Sequence, residues 1–421
     1  MPGRFSSVAT LDGSGLRAIS YLTMMTPRQR VEAALAHREP DRIPVDLGAS
    51  ESSGIHGIAY NNLKAHLGLS PGRTQIYDLS QMIAKVEPAV LDSVGADVLP
   101  LLIEPRQWKP WELQDGSPCE VPAGAGLHRT PPGGVELRSD DGTVLAACPP
   151  GSFYFDTVYH ALEKAASPSD VEAGFAHLRS FDWPSFCDED YEDLRAKAKK
   201  LHETTDRAIV GNLWVHVFAA GQILRGFENF MVDLLADKPL AHALMGRLVD
   251  AYEDRVRKYV EAVGEYCTII QVNDDLGTQN GLQLSLSTYR EMVKPYHARL
   301  WKQIKDLSGK PLLLHSCGSI YEVIPDLIEM GIDAINPVQV RATNMDSAKL
   351  KREFGNDLTF WGGGCDTQIV LGTGTPQEVK DEVHRRCDDV APGGGFIFCQ
   401  VHNIQPNVPP ENITAMYEAL A

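Results

Sequence analysis

A single (β/α)8 barrel of the α/β class is what this 421-residue sequence predicts, and three observations predict it. Short apolar runs of strand type recur about eight times, separated by segments of helical period, as in parallel strands buried on both faces. The runs end in polar or reactive residues, which suits a barrel whose strands all open on one mouth. No G-x-G-x-x-G follows the first run, so the main signature of a doubly wound dinucleotide fold is missing.

The elements follow in order. Residues 1–25 are rich in Ser, Gly and Ala without periodicity and read as a loose extension; the barrel domain is expected over 26–421. Thr26-Pro27-Arg28-Gln29 is a capping box opening a helix to His37, with Val31, Ala34 and Leu35 on its apolar face. Residues 43–48 form the first strand, and helical segments are expected over 60–67 and 81–94 before a strand at 98–103. From 104 to 155, turn signals such as Asp115-Gly116, Pro132-Gly133 and Asp141-Gly142 separate short alternating segments. This stretch predicts an inserted β-hairpin near the N-terminal third, either a lid over the mouth or a surface decoration. Pro168-Ser169-Asp170 caps a helix, and Asp182-Trp183-Pro184 breaks the chain before a charged helix over 189–203.

Beyond that helix, strands and helices alternate without interruption. Strands are expected at 208–214, 267–272, 312–314, 333–338, 358–362 and 395–400. Between them lie a helix over 221–231, a helical hairpin over 239–265, a helix over 288–306 and one opened by the box Thr375-Pro376-Gln377-Glu378.

Composition bounds the function. With 43% hydrophobic residues the chain can bury a large core, and its net charge of −17 argues against nucleic acid and anionic membranes as partners. No apolar run reaches the roughly 18 residues of a membrane span. No signal-type segment opens the chain, and eight Cys lie scattered without a disulfide framework, which together predict a cytoplasmic protein. The acidity leaves a homodimer open.

The residues expected at the mouth carry the chemistry. The strand over 312–314 runs into His315-Ser316-Cys317-Gly318, and residues two apart on a strand point the same way, so His315 and Cys317 can converge on one ion. Imidazole and thiolate are ligands that zinc favours, and a catalytic zinc keeps three protein ligands and one open position. The last strand would supply the third, from Cys399 or His402. Cys365 sits in a glycine-rich loop and reads as structural. Asp274 and Asp275 would orient a ligand or donate a proton to a leaving oxygen, or else cap the turn after their strand. Ser52, Asn212, Trp214, His216 and Asn273 are expected to line a substrate pocket.

Three motifs also carry a family resemblance: Asp274-Asp275-Leu276-Gly277-Thr278-Gln279, His315-Ser316-Cys317-Gly318, and His402-Asn403-Ile404-Gln405-Pro406 through Asn412-Ile413. With the opening Thr26-Pro27-Arg28-Gln29-Arg30, they resemble the uroporphyrinogen decarboxylase superfamily from about Thr26 to the C-terminus. The resemblance implies a (β/α)8 barrel. True decarboxylases carry an Arg-rich loop that grips propionates, where this chain has Gly48-Ala49-Ser50-Glu51-Ser52-Ser53. The His-x-Cys pair is similar instead to the zinc-dependent corrinoid methyltransferases, in which a late Cys completes the site. Counting back from Pro406, that position falls on His402, which the register prefers as third ligand, with Cys399, three residues earlier, as the alternative.

The resemblance therefore implies a zinc-dependent methyltransferase. It would move a methyl group from a small methyl ether, an aromatic one included, to cobalamin on a separate corrinoid protein. No Asp-x-His-x-x-Gly corrinoid motif is present in this chain. Alternatives are transfer from a methyl-corrinoid to a thiol or tetrahydrofolate, a metal-independent decarboxylase using Asp274 or Asp275, and a non-catalytic barrel.

Overall fold

The computed structural model describes residues 24–70, 72–178 and 188–420. The break expected at Asp182-Trp183-Pro184 and nearly all of the expected extension lie outside them. Seven parallel strands form one curled sheet: β1 (Val98–Leu101), β2 (Ala208–Asn212), β3 (Ile269–Asn273), β4 (Leu312–His315), β5 (Ala334–Asn336), β6 (Thr359–Trp361) and β7 (Phe396–Ile397). Each pairs with the next in sequence.

The segment expected as the first strand closes the ring. Val45 bridges Phe398 in parallel. The Asp46 N–H donates to Phe398 O (2.8 Å), the Phe398 N–H to Pro44 O (2.8 Å) and, on the other side, the Asp97 N–H to Val45 O (2.7 Å). Few backbone bonds hold this seam, and a buried carboxylate reinforces it. Asp97 accepts from the Val45 N–H (2.8 Å), Arg30 (2.6 Å) and Arg42 (2.7 Å).

Side-chain alternation fills the barrel. Leu313 points inward with Val98, Val210, Ile269, Trp361 and Ile397, under the helix Pro27–Leu35 that contributes Val31 and Ala34. Leu312 and Leu314 face the outer helices instead. The same alternation sends His315 inward at the C-terminal end. Both expected capping boxes form, at Thr26 and Thr375.

Four elements differ from expectation. Residues 108–157 hold more than one hairpin: Trp108–Glu112 pairs with Pro118–Pro122, and four further strands from Leu127 to Thr157 make a second antiparallel sheet. The helix expected over 81–94 is shorter, Pro88–Ser93. Asp78 turns the chain by accepting from the Ser80 and Gln81 N–H groups, and Met82 sits at φ 53°, which no helix tolerates. The helix over 221–231 is two, Phe218–Arg225 and Phe227–Ala236, divided at Gly226 with φ 84°. The expected helical hairpin over 239–265 is one helix, Lys238–Val263, because no breaker interrupts its apolar face. Among the described residues no helix is long and apolar enough to cross a membrane, and every cysteine is free.

Candidate active site

Neighbouring strands β3 and β4 bring three donors together at the mouth: Asp275, His315 and Cys317, whose ligating atoms all lie within 4.8 Å of one another. Cys317 Sγ is 3.6 Å from His315 Nε2, and that nitrogen is 3.7 Å from Asp275 Oδ1. A tetrahedral zinc with ordinary Zn–S and Zn–N bonds holds its sulfur and nitrogen about 3.5 Å apart, so the pair has the right spacing for that ion.

Close backbone approach fixes this spacing. A Cβ at Gly277 would lie 2.6 Å from Cys317 O, and one at Gly318, where φ is +84°, would lie 2.5 Å from Gly277 C. Only glycine allows the two loops to touch here. The Leu276 N–H donates to Ser316 Oγ (3.0 Å), the Ser319 N–H to Thr278 O (2.7 Å) and the Cys317 N–H to Asp275 Oδ1 (2.8 Å).

The imidazole is oriented from β5. Asn336 Nδ2 donates to Trp361 O (2.9 Å), which turns its Oδ1 toward His315 Nδ1 at 2.9 Å. His315 therefore donates from Nδ1 and presents the bare Nε2 lone pair to Cys317 and Asp275. A carbonyl on the far ring nitrogen is the usual way a histidine ligand is held. Burial first, and then the charge of Asp275, push the Cys317 thiol well above its usual range. A cation between them would reverse that balance and favour the thiolate. The donor set thus fits zinc.

The two expected third ligands are placed differently. The His402 ring lies 6.5 Å from the His315 ring, centroid to centroid, and lines the same cavity. Burial and the neighbouring His315 push its pKa down to about 4, so it stands neutral and able to ligate. Cys399 is fully buried in the barrel interior, and the Asn336 amide approaches its sulfur at 3.8 Å. Cys399 is therefore beneath the donor cluster and outside it. Cys365 is buried as well.

The adjacent carboxylates diverge. Asp274 accepts from the Val217, Phe218 and Ala219 N–H groups (2.7, 2.8 and 2.7 Å) and from His297 Nε2 (2.8 Å). Burial raises its pKa, but the His297 hydrogen bond and charge outweigh this and hold it below the ordinary value. With its lone pairs engaged, Asp274 caps a helix rather than moving protons. Asp275 keeps 47% of its side chain exposed.

A cavity of about 280 Å³ lies in front of Asp275 and His315. Its lining includes the expected Ser52, Trp214, His216 and Asn273, together with Glu51, Asp78, Ser80 and Gln81. Asn212 is not part of that lining; it lies below it and donates to Ala49 O (3.1 Å). The insertion reaches the rim, where Tyr154 donates to Asn403 Oδ1 (3.0 Å) and Asn403 to Gln81 (2.6 Å). Sequence reasoning assigned no role to Glu51, Asp78 or Asn336. Asn336 was recognisable only as a polar strand end, and Asp78 lies between the helical segments expected over 60–67 and 81–94, where no element was assigned.

Fold and site together define a barrel enzyme scaffold whose mouth carries a nitrogen–sulfur–oxygen donor cluster. The chain belongs to the uroporphyrinogen decarboxylase (URO-D) family, whose model matches residues 197–421. It is 27% identical over 205 residues to the methylated-thiol–coenzyme M methyltransferase of Methanosarcina mazei, a match covering 48% of this chain and 50% of that protein. It is 28% identical over 199 residues to the uroporphyrinogen decarboxylase of an Anaeromyxobacter species, covering 47% and 52%. The chain thus spans about half the length of the curated relatives it matches. The structure of a methyltransferase from Methanosarcina mazei aligns over 94% of this chain and 98% of its own, with a TM-score of 0.56 and 16% identity, and so shares the fold.

Proposed function

We propose that this protein is a zinc-dependent methyltransferase that takes the methyl group of a small methyl ether, aromatic ethers included, and passes it to the cobalamin of a separate corrinoid protein in the cytoplasm. The observation that carries this reading is the His315–Cys317 pair, with its lone pair freed by Asn336 and its spacing suited to zinc. His315, Cys317 and Asp275 would hold the ion; His402 lies outside this three-donor group, its ring 6.5 Å from that of His315, and would have to approach to complete the shell. Zinc bound there supplies Lewis acidity that stabilises charge on the leaving oxygen. Asn336 fixes the imidazole, the Gly277–Gly318 contact fixes the thiolate, and Trp214 and His216 hold the donor in the cavity.

A methylated thiol is the second donor reading, favoured by the name of the Methanosarcina relative. Decarboxylation of a polyacid fits less well. Glu51, Asp78, Asp274 and Asp275 line the cavity, and no Lys or Arg is among its lining residues, so a carboxylate substrate would meet only its own charge.

Elemental analysis tests the metal. The purified protein is expected to hold near-stoichiometric zinc, His315→Ala and Cys317→Ala to hold less than about a tenth of it, and Cys399→Ala to keep it, since losing a first ligand exceeds the 10–100-fold effect of losing its support. Zinc-free wild-type protein, or alanine variants with full zinc, would sink the proposal. Methoxylated aromatics with a cob(I)alamin acceptor then test the reaction.

A further inference from the structure

The wall of the cavity opposite the donor cluster contains polar atoms that the protein leaves unpaired. Glu51 is 9% exposed and Ser52 2%, both line the cavity, and neither Glu51 Oε1 nor Ser52 Oγ has a hydrogen-bond partner. Buried oxygens of this kind are costly when unsatisfied and are held where a ligand satisfies them. The second carboxylate, Asp78, is 7% exposed and close enough for its charge to act on Glu51. Two carboxylates sharing a buried recess repel each other unless one keeps its proton or a positive group stands beside them, and a bound cation releases that proton. Asp275, His315 and Cys317 are the one three-donor cluster among the described residues, so the recess lacks the ligands of a second metal. An N–H donor bearing positive charge meets both demands, and Trp214 adds an aromatic face to the same cavity.

From this we infer that the methyl donor carries a protonated amine, held by Glu51, Ser52 and Asp78 while its methyl-bearing heteroatom faces His315 and Cys317. This rests on the proposed methyl transfer for the identity of the ligand but is measured without it.

Calorimetry on the zinc-loaded full chain compares three probes of one shape: para-methoxybenzylamine, para-methoxybenzyl alcohol and para-methoxybenzoate. The amine is expected to bind at least about ten-fold more tightly than the alcohol, and the carboxylate more weakly than either, as one buried charge pair demands. Glu51→Gln should bring amine and alcohol within about two-fold at unchanged zinc content, and Asp78→Asn should narrow the gap in the same direction. Equal binding of the three probes, no binding of any, or an amine preference that survives both substitutions overturns the inference. Methyl transfer is scored separately. An amine preference without turnover retires the proposed reaction and keeps the recess; turnover without the preference does the reverse.

Discussion

The two walls of the cavity are built on opposite plans. On the side of β3 and β4, Asp274, His315 and Cys317 are fastened from behind: Asp274 by four donors, His315 by Asn336, Cys317 by the Asp275 carboxylate. On the side of the first loop, Glu51 and Ser52 are buried and left unsatisfied. The difference teaches which wall is complete by itself. In the proposed function, donors that would meet an ion at fixed distances are immobilised in advance, whereas groups that would recognise a substrate keep their bonding capacity for it.

The largest effect should separate the two adjacent aspartates. Asp274→Asn places an amide where three backbone N–H groups and His297 need an acceptor, and should cost about 3–5 kcal/mol in denaturant unfolding. Asp275→Asn should change stability by less than about 1 kcal/mol at its half-exposed position while weakening zinc retention. Reversal of that pattern would mean the anchoring and ligating roles have been exchanged.

Next comes the unsatisfied wall. Burial, and behind it the charge of Asp78, push Glu51 up to about 7 from 4.5. The folded protein then holds the proton longer than the unfolded chain. Its contribution is fully present below about pH 4.5 and is lost as pH rises through 7, a difference of order 3 kcal/mol. Glu51→Gln should therefore raise Tm over wild type at pH 8 and lose that advantage at pH 5. An advantage independent of pH would show that Glu51 is already paired.

The smallest effect tests the support of the complete wall. Asn336→Ala removes the acceptor on His315 Nδ1 and should weaken zinc 10–100-fold in chelator competition, about 1.4–2.7 kcal/mol. Unchanged affinity would show that the imidazole needs no such brace.

Much of this architecture was legible in the sequence because it rests on period and punctuation. Leu312 to Leu314 followed by His315 and Cys317 predicted a strand that delivers two donors to one place, and β4 does so. The capping boxes at Thr26 and Thr375 mark their helices for the same local reason. What escaped depends on contacts between distant segments. Asn336 supports His315 only because β4 and β5 are neighbours, and Cys399 stays out of the donor cluster because it packs into the barrel interior, against Gly362 and the Asn336 amide. The two roles of Asp274 and Asp275 could not be divided by sequence, since the N–H groups of Val217 to Ala219 that occupy Asp274 lie more than fifty positions away.

The seam at Val45 gives the mouth an asymmetry of its own. The loop bearing Glu51 and Ser52 follows the stave with the fewest backbone rungs, whereas His315 and Cys317 follow β4, flanked by paired strands on both sides. Local opening begins where backbone pairing is sparse. In the proposed function, the edge of the mouth that meets the substrate thus follows the stave with the fewest backbone rungs, while the edge that would hold the ion follows a strand paired on both sides.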